Sequence, residues 1–122
     1  MKKVLVVDDS ETIRQQVGRA LEQAGFSVVE AGDGIEGLDR VNQHQFSMVI
    51  LDVNMPRLNG LDLLDRLKAD PKTAHLPVLM LTTEAHQAMI ERAKKAGAKG
   101  WIVKPVKMEH LVSAVNKLAS AS

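Results

Sequence analysis

The sequence predicts an α/β domain built on one parallel sheet of five strands, doubly wound so that five helices share its two faces. Three observations carry that prediction. Short apolar runs alternate five times with apolar residues at helical spacing along the 122 residues. The connections between them are short, so each strand feeds a helix that packs back onto the sheet. Two of the runs, Met48-Val49-Ile50-Leu51 and Val78-Leu79-Met80-Leu81, are apolar at every position, as in strands buried on both faces.

Lys3 to Val7 is the first strand, a β-branched run that ends in Asp8-Asp9-Ser10 and opens a helix. Ile13, Val17, Leu21 and Ala24 recur at helical spacing, and Gly25 is placed to cap that helix at its C-terminus. Ser27 to Ala31 reads as the second strand. Gly32-Asp33-Gly34 turns the chain into a shorter helix marked by Ile35, Leu38 and Val41. The run from Met48 to Leu51 is the third strand and delivers Asp52 to a turn, where Pro56 removes a backbone donor. Leu61, Leu64 and Leu67 follow on a helix that must stop by Asp70-Pro71. Pro77 introduces the fourth strand, which ends at Thr82-Thr83-Glu84, and Met89, Ile90, Ala93 and Ala96 make a helix closed by Gly97. Trp101-Ile102-Val103 is the fifth strand, ending at Lys104-Pro105. Leu111, Ala114, Val115 and Leu118 form the last helix, and Ala119 to Ser122 is expected to fray. No repeat, low-complexity tract or interdomain linker interrupts this pattern, so residues 1–122 read as one domain. The strand order 2-1-3-4-5 is that of known flavodoxin-like sheets and is borrowed from them rather than read from these residues.

Composition narrows the functions available. With 45% hydrophobic and 25% charged residues the chain has the make-up of an ordinary globular protein. It has no cysteine, which removes disulfides and thiolate metal sites and suits a cytoplasmic setting. Val4 to Val7 is too short for a secretory apolar segment, and no membrane span is present. A net charge of +1 argues against general nucleic-acid binding. The charge is unevenly spread, however. Residues 1–61 carry 6 Lys or Arg against 9 Asp or Glu, and residues 62–122 carry 10 against 6. The acidic half holds the candidate site, and the basic half offers a partner surface.

Parallel strands end at one edge of their sheet, so Asp8, Asp9, Asp52, Thr82 and Lys104, each at or just past a strand end, converge there. Any one of them has a plainer reading, such as a loop cap for Asp52. Together they are hard to assign to chance. Three carboxylates at close range repel one another and persist when a cation or a proton relieves them. Acidic oxygens without His or Cys favour a hard ion, and Mg²⁺ suits a few carboxylates while keeping positions for phosphate oxygens. Lys104 adds a fixed positive charge and Thr82 a hydroxyl donor. These are the parts of a phosphoryl-transfer site, with Asp52 as nucleophile through an acyl phosphate. In the tandem pair, Asp9 is placed to bind metal directly and Asp8 through water. His44, His75, His86 and His110 lack metal spacing and read as surface or cap residues.

Val6-Val7-Asp8-Asp9-Ser10, Leu51-Asp52-Val53-Asn54-Met55-Pro56, Asn59-Gly60, Val78-Leu79-Met80-Leu81-Thr82 and Lys104-Pro105 together resemble the receiver domain of two-component response regulators over essentially the whole chain. The resemblance implies that Asp52 accepts a phosphoryl group from a phosphohistidine on a sensor histidine kinase. It implies Mg²⁺ held by Asp8, Asp9, Asp52 and the backbone carbonyl of Asn54, phosphoryl contacts from Thr82 and Lys104, and a cis bond between Lys104 and Pro105. Within that family, Asn54 and Thr82-Thr83-Glu84-Ala85 look like the stand-alone chemotaxis regulators of the CheY type, where Asn54 and Glu84 would influence loss of the phosphate to water. Asn59 stands where the family often has Asp, and Trp101 where it usually has Tyr or Phe as the switch aromatic.

The expected signalling face comprises helix four, strand five and helix five, with Lys94, Lys95, Lys99 and Trp101. A downstream protein would dock there, on a monomer able to dimerise when phosphorylated. The rival reading for Trp101 is a half-buried aromatic with no switching role. Rival functions are a receiver domain cut from a larger regulator or hybrid kinase, a small Mg²⁺-dependent phosphatase, a flavin binder and a receiver that never takes phosphate. The phosphatase would need a cap that no connection here is long enough to supply. A flavin phosphate would be repelled by the acids, and 2% aromatic residues leave little to stack its ring. The intact acid set and Lys104 oppose a receiver that never takes phosphate.

Overall fold

The computed structural model describes residues 2–55, 57–83 and 86–120. Strands β1 (Lys3–Val7), β2 (Ser27–Ala31), β3 (Met48–Asp52), β4 (Val78–Thr82) and β5 (Gly100–Val103) alternate with helices α1 (Glu11–Gln23), α2 (Gly34–Gln43), α3 (Gly60–Ala69), α4 (Gln87–Lys95) and α5 (Met108–Ser120). All pairings are parallel and the strand order is β2-β1-β3-β4-β5.

Connection handedness explains which helices share a face. The step from β1 to β2 runs one way across the sheet, and the steps from β2 to β3, β4 and β5 run the other way. With right-handed crossovers, α2, α3 and α4 must then cover one face and α1 the opposite one. The two cores follow suit. Leu5, Val7, Val49, Leu51 and Met80 pack with Leu61, Leu64, Leu67 and Ala93 on the first face. Val4, Val6, Met48, Ile50 and Leu81 pack with Val17, Leu21, Leu111 and Val115 on the second, so α5 joins α1. β1 after Lys3, β3 before Asp52 and β4 before Thr82 are apolar at every position because alternate residues feed both cores.

Helix ends are set by local chemistry. Ser10, Asp33 and Asn59 sit at the N-caps of α1, α2 and α3, and their side chains accept the amides of Ile13, Glu36 and Asp62. Gly25 and Gly97 follow the ends of α1 and α4 with φ of 98° and 104°, in the left-handed region that glycine adopts without steric cost. The expected fraying from Ala119 onward is corrected in part. Ala119 is helical and fully buried, and its carbonyl accepts Lys2 Nζ at 2.8 Å. It lies one turn beyond Val115 on the same buried stripe, and that burial outweighs the helix end. Residues 121 and 122 lie outside the described residues.

Candidate functional site

The pairing of β1 with β3 sets Val7 opposite Leu51, so the next residues, Asp8 and Asp52, come side by side between the two central strands. The strand order reverses at this point, where open α/β sheets bind ligands. Asp8, Asp9 and Asp52 each offer a carboxylate oxygen, and these oxygens lie within 4.8 Å of one another. Asp8 and Asp52 are buried, whereas Asp9 is exposed.

Each acid is held differently. Asp8 Oδ1 accepts the Ser10 amide at 2.9 Å, and Asp8 Oδ2 accepts Lys104 Nζ at 2.8 Å. The Asp8 amide donates to the Ala31 carbonyl at 3.1 Å, and Arg14 Nη1 donates to the Asp8 carbonyl at 2.6 Å. Asp52 Oδ1 lies 3.4 Å from the same Lys104 ammonium. Both oxygens of Asp8 are therefore engaged, while Asp9 stands open to solvent.

Burial and the neighbouring Asp8 charge push the Asp52 carboxyl up to about 6, with Lys104 opposing and Asp9 adding to the rise. Burial works against the charge on Lys104, but its hydrogen bond to Asp8 and the charges of Asp52 and Asp8 outweigh it and hold the ammonium above the usual lysine value. One lysine thus stands between two buried acids and leaves Asp52 the less satisfied. A hard cation at Asp9 and Asp52 would relieve that, so the donor set fits Mg²⁺.

The rest of the predicted set is placed by the sheet. Thr82 ends β4, next to β5, and is fully buried. Lys104 follows β5 and its peptide bond to Pro105 is cis. Asn54 is exposed two residues beyond Asp52. Glu84, like Pro56 and Ala85, lies outside the described residues. Lys94, Lys95 and Lys99 are exposed on α4 and on the turn into β5. Trp101 is half-buried against the α2–α3–α4 core, beside a small cavity of about 60 Å³ lined by Ile90, Ala93, Lys94 and Ala98. Among the described residues its indole Nε1 is shut off from water without a hydrogen-bond partner.

Several supports escaped the sequence reading. Arg14 bridges the Asp8 carbonyl and Glu30 on β2. Arg57, after Asp52, forks onto Asp33 in the turn before α2. Gly60 donates its amide to the Val53 carbonyl at 2.9 Å and sits so close that a Cβ would run into the Asp52 carbonyl oxygen. Only a residue lacking a side chain lets α3 start that close to the acid. The sequence shows Asn59-Gly60 as a turn, not as this approach.

Residues 4–116 match the family model of the response regulator receiver domain. A chemotaxis protein of Vibrio cholerae, CheY-3, is 41% identical over 117 residues, covering 95% of this chain and 90% of the relative. The chemotaxis protein CheY of Pseudomonas aeruginosa is 38% identical over 117 residues, covering 95% and 94%. The solved structure of Vibrio cholerae CheY4 superposes with a TM-score of 0.92 at 39% identity, covering 97% of this chain and 98% of that one. The chain therefore belongs to the response regulator receiver family of two-component signalling proteins.

Proposed function

We propose that this receiver takes a phosphoryl group onto Asp52 from a histidine kinase and signals as a chemotaxis-type regulator. The observation that carries it is the acid cluster at the sheet edge, where oxygens of Asp8, Asp9 and Asp52 lie within 4.8 Å of one another and Lys104 meets Asp8 and Asp52. Similarity to chemotaxis proteins of two bacteria supports the pathway. The small-phosphoester phosphatase finds no support in any of these relatives.

In the reaction an Asp52 oxygen attacks the phosphorus of the donor phosphohistidine. An O–P bond forms, the P–N bond breaks, and the departing imidazole takes up a proton. Lys104 and the Thr82 hydroxyl meet the phosphoryl oxygens, whose charge grows as the donor leaves. Mg²⁺ held by Asp8, Asp9, Asp52 and the Asn54 carbonyl would supply charge neutralisation between the acids and those oxygens. Water attack on phosphorus later returns Asp52 to a carboxylate, at a rate that Asn54 and Glu84 would influence.

Once Lys104 turns to the phosphoryl group, its bond to Asp8 is given up and Thr82 is drawn toward the same group. Thr82 movement would open space on the Trp101 side and reshape the surface of α4, β5 and α5. Lys94, Lys95 and Lys99 give that surface a positive rim suited to an acidic target. The protein works as a cytoplasmic monomer that dimerises, if at all, on phosphorylation, and it changes only its own phosphorylation state. Acetyl phosphate with Mg²⁺ is expected to add phosphoryl mass to the wild-type chain. The same mixture with the metal chelated is expected to add none, and equal uptake in both would overturn the metal's part.

A further inference from the structure

Arg57 adopts φ of 66°, and among the described residues it is the one that enters the left-handed region without being glycine. For a side chain with a Cβ that conformation carries a steric cost. Its compensation lies across the loop. Arg57 Nε meets Asp33 Oδ2 at 3.0 Å and Arg57 Nη2 meets Asp33 Oδ1 at 3.1 Å, a two-pronged guanidinium–carboxylate contact. Asp33 is the fixed partner. Its side chain is 12% exposed against 56% for Arg57, and Asp33 Oδ1 also accepts the Glu36 amide at 2.9 Å to start α2.

A second contact lies beside the first. Leu58 presses its carbonyl so closely against Gly34 that a Cβ there would run into the oxygen. Arg57 and Leu58, in the segment between β3 and α3, are thus clasped to the turn before α2 by one ion pair and one backbone contact. Its ends are fixed independently, by the Val53 amide on the Leu81 carbonyl and by the Gly60 amide on the Val53 carbonyl, both at 2.9 Å. Asn54 lies between those ends, and its backbone carbonyl is the metal ligand of the proposed site.

We infer that Arg57 is a positioning residue for the metal site: its fork onto Asp33 sets the path of the β3–α3 segment and so aims the Asn54 carbonyl at the ion. The inference rests on the Mg²⁺ reading above. Arg57 touches neither metal nor phosphate and acts through the backbone three residues upstream. Its loss should therefore cost less than loss of a group bonded directly to a ligand, which typically weakens metal binding about ten- to a hundredfold.

The test is a titration of the full chain with Mg²⁺ alone, followed by the amide NMR shifts of Asp9, Val53 and Asn54, with thermal unfolding measured in parallel. Arg57→Gly removes the fork and also the steric cost at φ of 66°, so it folds where an alanine could fail. Asp33→Asn keeps an oxygen for the Glu36 amide and removes the charge. Each is expected to weaken Mg²⁺ binding about three- to tenfold, the double variant no more than either alone, and Arg57→Lys to lie between. The melting temperature of Arg57→Gly should stay level or rise, which a merely structural role would not combine with weaker metal binding. Unchanged Mg²⁺ affinity in Arg57→Gly, beside a wild type that binds, would overturn the clasp. A wild type that shows no Mg²⁺-dependent shift at these amides would overturn the metal reading itself and the clasp with it.

Discussion

At the N-terminal edge of the sheet, a groove of about 580 Å³ runs between the end of α2 and the segments leading into β3 and β4, lined by His44, Phe46, Lys72, His75 and Leu76 among others. At the C-terminal edge, oxygens of Asp8, Asp9 and Asp52 lie within 4.8 Å of one another, and one lysine meets both Asp8 and Asp52. The groove has room and two imidazoles but little tension. His44 Nδ1 already meets Lys3 Nζ at 3.2 Å, its ring tilts against Phe46, and His75 is exposed. The acid edge holds groups that burial and like charge make costly, and it is there that an ion or a phosphoryl group changes the free energy most. Stored electrostatic cost, not open volume, is what sets the acid edge apart.

Measurements that set the two edges against each other range from large effects to small. Asp52→Asn should lose phosphoryl uptake altogether, while His44→Ala and His75→Ala keep the wild-type rate; a histidine variant that lost uptake would put chemistry at the groove. Lys104→Ala leaves Asp8 buried without its cation, and breaking such a pair costs about 3–5 kcal/mol. Urea unfolding of the metal-free protein near neutral pH should show that loss, with part of it restored by Mg²⁺.

A smaller effect follows from the raised Asp52 carboxyl. Its ordinary value is 3.8 and its folded value about 6, so ionisation costs the folded state more than the unfolded chain. Metal-free stability should fall as pH rises from about 4 to about 6, by at most about 3 kcal/mol, and then level. Asp52→Asn should remove that fall and be the more stable protein above pH 6, and saturating Mg²⁺ should flatten it in the wild type. A wild-type curve that rises across the same window would mean that Lys104 outweighs burial. The smallest effect belongs to the groove, where His75→Ala should shift unfolding by no more than about 0.5 kcal/mol.

Much of this was readable from residues alone, for a physical reason. Strands buried on both faces cannot tolerate polar residues, so Met48–Asp52 and Val78–Thr82 announce their own ends, and in a parallel sheet strand ends share an edge. That logic brings Asp8, Asp52, Thr82 and Lys104 together without coordinates. It fails where reach and loop path decide. Nothing in the spacing of Arg14 and Asp8, or of Arg57 and Asp33, signals that a guanidinium spans the gap. A left-handed Arg57 has no sequence signature, since Asn or Gly would be the usual occupant. Small residues at the end of the sequence suggest fraying, whereas the helical register of Ala119 with Leu111 and Val115 places it inside.

Asp52 as the phosphoryl acceptor is the claim on which the rest depends, and its acyl phosphate can be located chemically. Borohydride reduces an aspartyl phosphate to homoserine, so the chain treated with acetyl phosphate and Mg²⁺, then reduced and digested, carries a mass mark at the acceptor. Homoserine at position 52 and nowhere else is the expected result. Homoserine at position 8 or 9, or a fully unmarked chain, would contradict it.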